Sequence, residues 1–187
     1  MQLKSLNEKI VLSVLVTLLF LNSTAQEKHL KNIQKLTFGG DNAEAYFSPN
    51  GQLLTMQISN PKAGIPCDQI YLYDLQSKIN ASDNLKLIST GKGRTTCSYF
   101  MPDGKHIIYA STHASADECP APPKSKDGKY LWAVYPEFDI YISDLSGKIV
   151  KQLTNSPGYD AEAVVSPDGK KIAFTSTRSG DLELWTM

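Results

Sequence analysis

Residues 153–187 read LTNSPGYDAEAVVSPDGKKIAFTSTRSGDLELWTM, and the same pattern occurs twice earlier in the chain. The earlier copies are KLTFGGDNAEAYFSPNGQLLTMQIS over 35–59 and LISTGKGRTTCSYFMPDGKHIIYAST over 87–112. Each copy contains an apolar run, a Pro-Asx-Gly turn, a second apolar run and, after a gap, a third run. Self-similarity with a period of tens of residues is typical of repeat architectures. The sequence therefore predicts a series of similar structural units.

The turn in the middle of each copy predicts a β-hairpin. Proline presets φ at a turn position, Asp or Asn tolerates left-handed geometry, and glycine adopts positive φ without a steric penalty. The flanking runs are apolar or β-branched, as in residues 171–175, and the third run alternates apolar and polar residues, as in 139–144. The turns are Pro49-Asn50-Gly51, Pro102-Asp103-Gly104 and Pro167-Asp168-Gly169.

A fourth strand is predicted after the third run in two of the units, over 85–89 and 148–154. Four antiparallel strands that repeat along the chain form the blades of a β-propeller. We therefore predict an all-β fold, a partial β-propeller domain over 26–187. Residues 29–36 match the fourth-strand position and predict a further strand ahead of the first blade. About three four-stranded blades are expected, at about 36–75, 87–145 and 153–187.

Three blades are fewer than a propeller usually contains, since closed rings have about four to eight. The favoured interpretation is that the chain is a fragment of a larger propeller of six to eight blades. The alternative is a complete chain whose ring closes by association between copies.

The repeated residues resemble the blades of TolB-like, WD-repeat-like propellers of bacterial exported proteins. The resemblance is strongest in the third unit, in Leu153-Thr154, Glu162, Ser166 to Lys170 and Leu184 to Met187. It covers most of residues 29–187 and implies the propeller fold, with a non-catalytic role in binding a protein or peptide. Similar blades form the gating propeller of prolyl-oligopeptidase and dipeptidyl-peptidase enzymes. The alternative function is therefore the gating propeller of such a serine peptidase.

The first 25 residues have the features of a signal peptide. Lys4 and Lys9 precede an apolar run over 10–21, which is too short to span a bilayer comfortably. Small residues at Ser23 and Ala25 suit a signal peptidase, and cleavage is predicted after Ala25. The mature protein is then expected to be periplasmic or secreted, without stable insertion in the membrane. The alternative is an uncleaved N-terminal anchor.

The overall composition is that of a globular protein with balanced charge. Apolar residues make up 41%, charged residues 20%, and the formal net charge is zero, which argues against binding to nucleic acid. The sequence contains no GxSxG, HExxH or GxGxxG motif. We therefore predict neither catalytic residues nor a cofactor. A weaker third hypothesis, a propeller acting on glycans, would need a histidine or acid cluster at the channel mouth.

Blade topology predicts which face of the blades carries the candidate binding residues. In a four-stranded meander, the second–third connection and the link to the next blade share one face, here called the front face. The long connection over 112–137 belongs to it, and loops on a rigid scaffold commonly bind ligands. The candidate binding residues on this face are Arg94, His113, Trp132, Tyr159, Asp160 and Glu162.

Structural roles for these residues remain open alternatives. His113 would bond a neighbouring loop, and the aromatic residues would form the core of the long connection. Glu44 and Glu162 occupy equivalent positions and would bond backbone amides of the next blade. A metal site built from His113 with Asp160, Glu162 or Glu44 is the least favoured alternative, and no metal is predicted.

Three cysteines, Cys67, Cys97 and Cys119, are all predicted on the front face. An exported protein permits disulfides, and an odd count leaves one thiol unpaired. The alternatives for Cys97 are a disulfide with Cys119 or Cys67, or simple packing in an inner strand. The absence of a CxxC pair argues against a structural zinc site.

Overall fold

The computed structural model describes residues 29–77, 84–125, 127–129 and 131–187. The predicted signal peptide, its cleavage site and its alternative as an anchor lie outside these residues. The chain divides into two units, Met1–Lys35 and Leu36–Met187. Among the described residues, no helix is long and apolar enough to cross a bilayer.

The strand predicted over residues 29–36 does not form. Residues 29–40 carry no strand, and Asn32 has a φ of 55°. A residue in left-handed geometry interrupts an extended run, which explains why the apolar pattern was misleading here.

The described residues between 36 and 187 form three antiparallel sheets, which we call blades 1 to 3. In each blade every strand pairs with the next one along the chain, as in a propeller blade. A short 3-10 helix, Pro61–Ala63, lies between the second and third strands of blade 1. The all-β propeller prediction is therefore confirmed. The strands are β1 (Asp41–Phe47), β2 (Leu53–Asn60), β3 (Ile65–Asp74) and β4 (Leu85–Leu87) in blade 1, β5 (Thr95–Phe100), β6 (His106–Ser111), β7 (Asp139–Asp144) and β8 (Ile149–Gln152) in blade 2, and β9 (Asp160–Val165), β10 (Ile172–Ser176) and β11 (Glu183–Thr186) in blade 3.

The Pro-Asx-Gly turns join the first two strands of each blade on the face opposite the front face, the back face. In blade 3, Asp168 Oδ1 accepts hydrogen bonds from Ser166 Oγ at 2.6 Å and from the Lys170 amide at 3.1 Å. Neighbouring turns also lie side by side, because a Cβ built on Gly169 would come within 3.8 Å of Pro102. The repeated sequence motif thus forms a repeated surface.

The core lies between the blades. In β6, Ile107 and Tyr109 pack toward Ile70 of blade 1, whereas Ile108 packs toward Phe174 of blade 3. Successive side chains of a strand point to opposite faces, so blade 2 buries both of its faces. A further buried cluster lies on the other face of blade 1, formed by Leu54, Met56, Ile58 and Tyr73.

Candidate functional site

Each innermost strand contains a β-bulge at the same place. The pairing of β1 with β2 shifts between Ala43 and Tyr46, and β5 and β9 show equivalent shifts. The bulged residues are Glu44, Cys97 and Glu162, with φ values of 52°, 52° and 59°. Left-handed geometry is unfavourable by about 1–2 kcal/mol for such residues, and bulges redirect side chains.

The bulged residues line one cavity of about 290 Å³, which we call the inner cavity. Three aromatic side chains, Tyr46, Tyr99 and Trp132, complete much of its wall. The rings of Tyr46 and Tyr99 meet edge to face at 5.3 Å. The inner cavity therefore combines carboxylates, a thiol and aromatic surface.

Both carboxylates of the inner cavity accept hydrogen bonds from hydroxyl groups. Glu44 Oε2 accepts from Tyr46 at 2.9 Å, and Glu162 Oε2 accepts from Thr175 at 2.6 Å. Glu162 Oε1 also accepts from Tyr159 at 3.3 Å. The prediction that Glu44 and Glu162 bond backbone amides of the next blade is wrong, because the bulges turn both side chains toward hydroxyls of their own blades.

The electrostatic field of these carboxylates acts on the thiol between them. Burial raises the pKa of Cys97 to about 11, and the negative charges of Glu44 and Glu162 add to the rise. Burial and the charge of Glu162 also raise the pKa of the Tyr159 hydroxyl. Cys97 is consequently protonated at neutral pH.

A second cavity, of about 180 Å³, adjoins the first on the front face, and we call it the front cavity. Arg94 lies in it and forms an ion pair with Asp68, and both side chains are largely buried. Trp132 lines both cavities and is 61% exposed. Other residues of the front cavity are Gln57, Thr96, Tyr135, Phe138 and Tyr159.

The long connection between β6 and β7 is anchored at several points. A disulfide joins Cys119 of this connection to Cys67 in β3, with 5.8 Å between their Cα atoms. The Gly93 amide bonds Asp117 O at 2.9 Å, and Lys92 forms an ion pair with the Asp117 carboxylate at 2.7 Å. The loop is thus attached to the scaffold beside the front cavity, since Arg94 Nη2 lies 3.8 Å from Cys119 Sγ.

Aromatic packing anchors the other end of this connection. The Tyr135 hydroxyl donates to Ala121 O at 3.0 Å. Phe138 packs between Tyr135 and Tyr159, with the Tyr159 ring at 5.6 Å in an edge contact. Trp132 and Tyr159 both line the front cavity, and the Tyr159 hydroxyl donates to Glu162 Oε1 of the inner cavity at 3.3 Å. One chain of contacts therefore leads from the front cavity to the inner cavity.

Of the alternatives for Cys97, the structure shows the unpaired thiol. Cys97 is a free thiol in the bulge of β5, whereas Cys67 and Cys119 form the disulfide. The bulge turns Cys97 toward the inner cavity, and its amide is bonded to Gln57 Oε1 at 3.3 Å. The disulfides of Cys97 with Cys67 or Cys119 are therefore wrong.

Two of the predicted binding residues lie apart from the cavities. His113 Nδ1 is 2.9 Å from Ser111 Oγ, and its ring lies 4.4 Å from Tyr141. Burial lowers the pKa of His113, with a smaller effect from Lys92. Asp160 is buried in an ion pair with Arg178 at 2.8 Å. Both side chains have structural partners.

The described residues contain no group of three or more His, Cys, Asp or Glu arranged to hold a metal ion. Sequence reasoning missed the roles of Tyr46, Tyr99, Gln57 and Asp68. Alignment of NAEAYF, TTCSYF and DAEAVV places Glu44, Cys97 and Glu162 in one column. That alignment contains the signal for the inner cavity, although not for its bulges.

Comparison with known proteins identifies the kind of propeller. TolB from Acinetobacter baumannii superposes with a TM-score of 0.56 at 26% identity, over 81% of this chain and 31% of that one. The chain is a TolB-like β-propeller. Putative TolB from Agrobacterium tumefaciens gives a TM-score of 0.52 at 24% identity, over 77% of this chain and 41% of that one.

Sequence comparison agrees with this TolB-like fold. A Protein TolB homolog from Chlorobium chlorochromatii is 33% identical over 78 residues, which are 42% of this chain and 17% of that protein. No protein-family model matches the chain. The TolB-like chain spans less than half of the length of each of these relatives, so its blades correspond to part of their structures.

Proposed function

We propose that this chain is an exported, non-catalytic binding module that recognises a protein or peptide on its front face. The carrying observation is Trp132, which is 61% exposed although it lines two adjoining cavities on a loop held by a disulfide. Tryptophan is enriched among residues that dominate binding energy, and such residues pair with cavities. A rigid scaffold that presents an exposed indole suits a macromolecular partner.

The chemistry of the titratable groups supports binding over catalysis. A nucleophilic cysteine needs a depressed pKa, whereas the pKa of Cys97 is raised to about 11. Arg94 is engaged by Asp68, and Asp160 by Arg178. These ion pairs hold the four side chains in place in the scaffold.

Export is supported by two features of the chain. Residues 1–25 have the composition of a signal peptide, and the Cys67–Cys119 disulfide requires an oxidising environment such as the periplasm or the outside of the cell. The proposed location is therefore periplasmic or secreted.

Site-specific photocrosslinking in the native cells tests this function. A photoreactive amino acid is placed at Ala133, which lines the front cavity, and the matched control carries it at Lys105, which is exposed on the back face. We expect a discrete adduct with another protein or peptide from position 133 only. Trp132→Ala in the same background should reduce its yield by roughly tenfold or more, as for a central interface residue.

Two outcomes would count against this proposal. Equal adducts from the front and back positions, or a front adduct that is insensitive to Trp132→Ala, would show that the front cavity is not the binding site. A crosslink to a peptidase domain of the same polypeptide, together with peptide hydrolysis, would instead favour the gating-propeller alternative.

A further inference from the structure

We infer that the inner cavity receives a basic side chain of the partner, arginine in preference to lysine. This inference rests on the proposed function, since it names the group that anchors a protein or peptide at the same site. It follows from the charge, the lining and the position of the cavity.

The inner cavity carries two carboxylates that form no ion pair with any described residue. Within the part of the chain that the structure describes, the ion pairs are Lys92–Asp117, Arg94–Asp68, His106–Asp103 and Arg178–Asp160. Neither Glu44 nor Glu162 belongs to any of them. Their hydrogen bonds come from neutral hydroxyls, which leave the negative charge of both groups uncompensated.

The two charges act on a shared volume. Glu44 comes from blade 1 and Glu162 from blade 3, and both line the cavity on either side of Cys97. The negative charges of both groups contribute to the raised pKa of the Cys97 thiol, in agreement with their common position at the cavity. A cation placed in this volume would interact favourably with two carboxylates at once.

The lining distinguishes an organic cation from a simple ion. Tyr46, Tyr99 and Trp132 present aromatic surface beside the carboxylates. Cations are attracted to aromatic faces, and a guanidinium both stacks on rings and donates paired hydrogen bonds to carboxylates. An ammonium group is more strongly hydrated and lacks the planar fork, so arginine fits this lining better than lysine.

The size of the cavity suits one side chain. Its volume of about 290 Å³ lies just below about 300–1,000 Å³, the range typical of sites for whole small ligands. Trp132 forms a wall of both cavities, so a partner lying over the front cavity can direct one side chain inward past the indole.

The test uses capped tripeptides, Ac-Gly-Xaa-Gly-NH2, with arginine, lysine or the neutral isostere citrulline as the central residue. The protein is purified from its native cells, and peptide binding is measured by calorimetry. We expect the arginine peptide to bind with a Kd of about 1 mM, a magnitude ordinary for one anchoring residue. The lysine peptide should bind more weakly, and the citrulline peptide should show at least about tenfold weaker binding.

Matched variants assign the effect to the cavity. Glu44→Gln with Glu162→Gln keeps oxygen acceptors for the hydroxyl bonds and removes both charges, and it should weaken arginine binding by about tenfold or more. Glu183→Gln removes one exposed acidic charge from β11 outside the cavity and should leave binding unchanged. Unchanged thermal unfolding of the double variant checks that the fold is intact.

The outcomes separate this inference from the proposed function. Equal binding of arginine and citrulline peptides, absence of arginine binding, or full binding by the double variant would overturn the basic anchor. If the crosslink from position 133 nevertheless forms, the proposed function still holds. Arginine binding without any front-face adduct would point to a free guanidinium compound and would contradict the protein or peptide partner.

Discussion

The front and back faces of these blades are built from the same strands in opposite ways. On the back face, three Pro-Asx-Gly turns repeat one geometry, and each glycine after the first lies close to the preceding turn's proline. On the front face, the corresponding connections are residues 61–64, 112–138 and 177–182, which differ in length and chemistry. The repeated face stabilises the scaffold, whereas the divergent face carries the cavities and the disulfide.

Removing the front-face disulfide should cause the largest loss of stability. The bond closes a loop between cysteines 52 residues apart, for which chain entropy predicts about 4 kcal/mol of stabilisation. Urea unfolding of Cys67→Ser with Cys119→Ser should show this loss, and a reductant should have the same effect on the parent protein. Cys97→Ser is the matched control and should remain sensitive to reductant. An unfolding midpoint unaffected by reductant would contradict this role.

A pair of glycine substitutions should give the next largest difference. A Cβ on Gly93 would lie 2.6 Å from Thr112 Oγ1 and 2.8 Å from the His113 amide nitrogen, whereas a Cβ on Gly169 has 3.8 Å to Pro102. Both glycines have positive φ, so alanine should destabilise each site by about 1–2 kcal/mol. Gly93→Ala should lose roughly 1–3 kcal/mol more through overpacking. Equal losses in the free energy of unfolding, measured with urea, would contradict this difference. They would show that the connection at Gly93 accommodates a Cβ as readily as the turn at Gly169 does.

The smallest expected effect is on the reactivity of the Cys97 thiol and involves no change in the free energy of unfolding. Because the pKa of Cys97 is raised to about 11, its thiolate fraction at pH 8 should be roughly a hundredfold below that of an ordinary thiol. Alkylation by iodoacetamide, followed by mass spectrometry, should therefore be slow at pH 8 and accelerate through pH 10. Glu44→Gln with Glu162→Gln should speed the reaction at pH 8. A rate that levels off near pH 9 would contradict the electrostatic description of the inner cavity.

The features predicted from the sequence are those that local chemistry specifies. The three turns and the alternating runs located the strands of all three blades, because turn residues and strand periodicity act over a few residues. The prediction of a strand at residues 29–36 was wrong because Asn32 adopts a left-handed conformation. The spacing of apolar residues does not reveal that conformation.

The composition of the cavities could not be predicted in the same way. Arg94 and Asp68 come from different blades, and so do Glu44 and Glu162, so their proximity depends on how the sheets pack. The bulges also accept different side chains, Glu44, Cys97 and Glu162, at one backbone position. Long-range packing likewise selected the Cys67–Cys119 disulfide.

The connectivity of the disulfide has a consequence for biogenesis. The disulfide joins Cys67 to Cys119, although the unpaired Cys97 lies between them in the sequence. In the export proposed above, the amino end of the polypeptide would emerge first, so Cys67 and Cys97 would enter the oxidising compartment before Cys119. Any early Cys67–Cys97 bond must then be resolved by attack of a third thiolate. Burial of Cys97 in its bulge before oxidation would prevent that error, and correct pairing would then depend on the order of folding and oxidation.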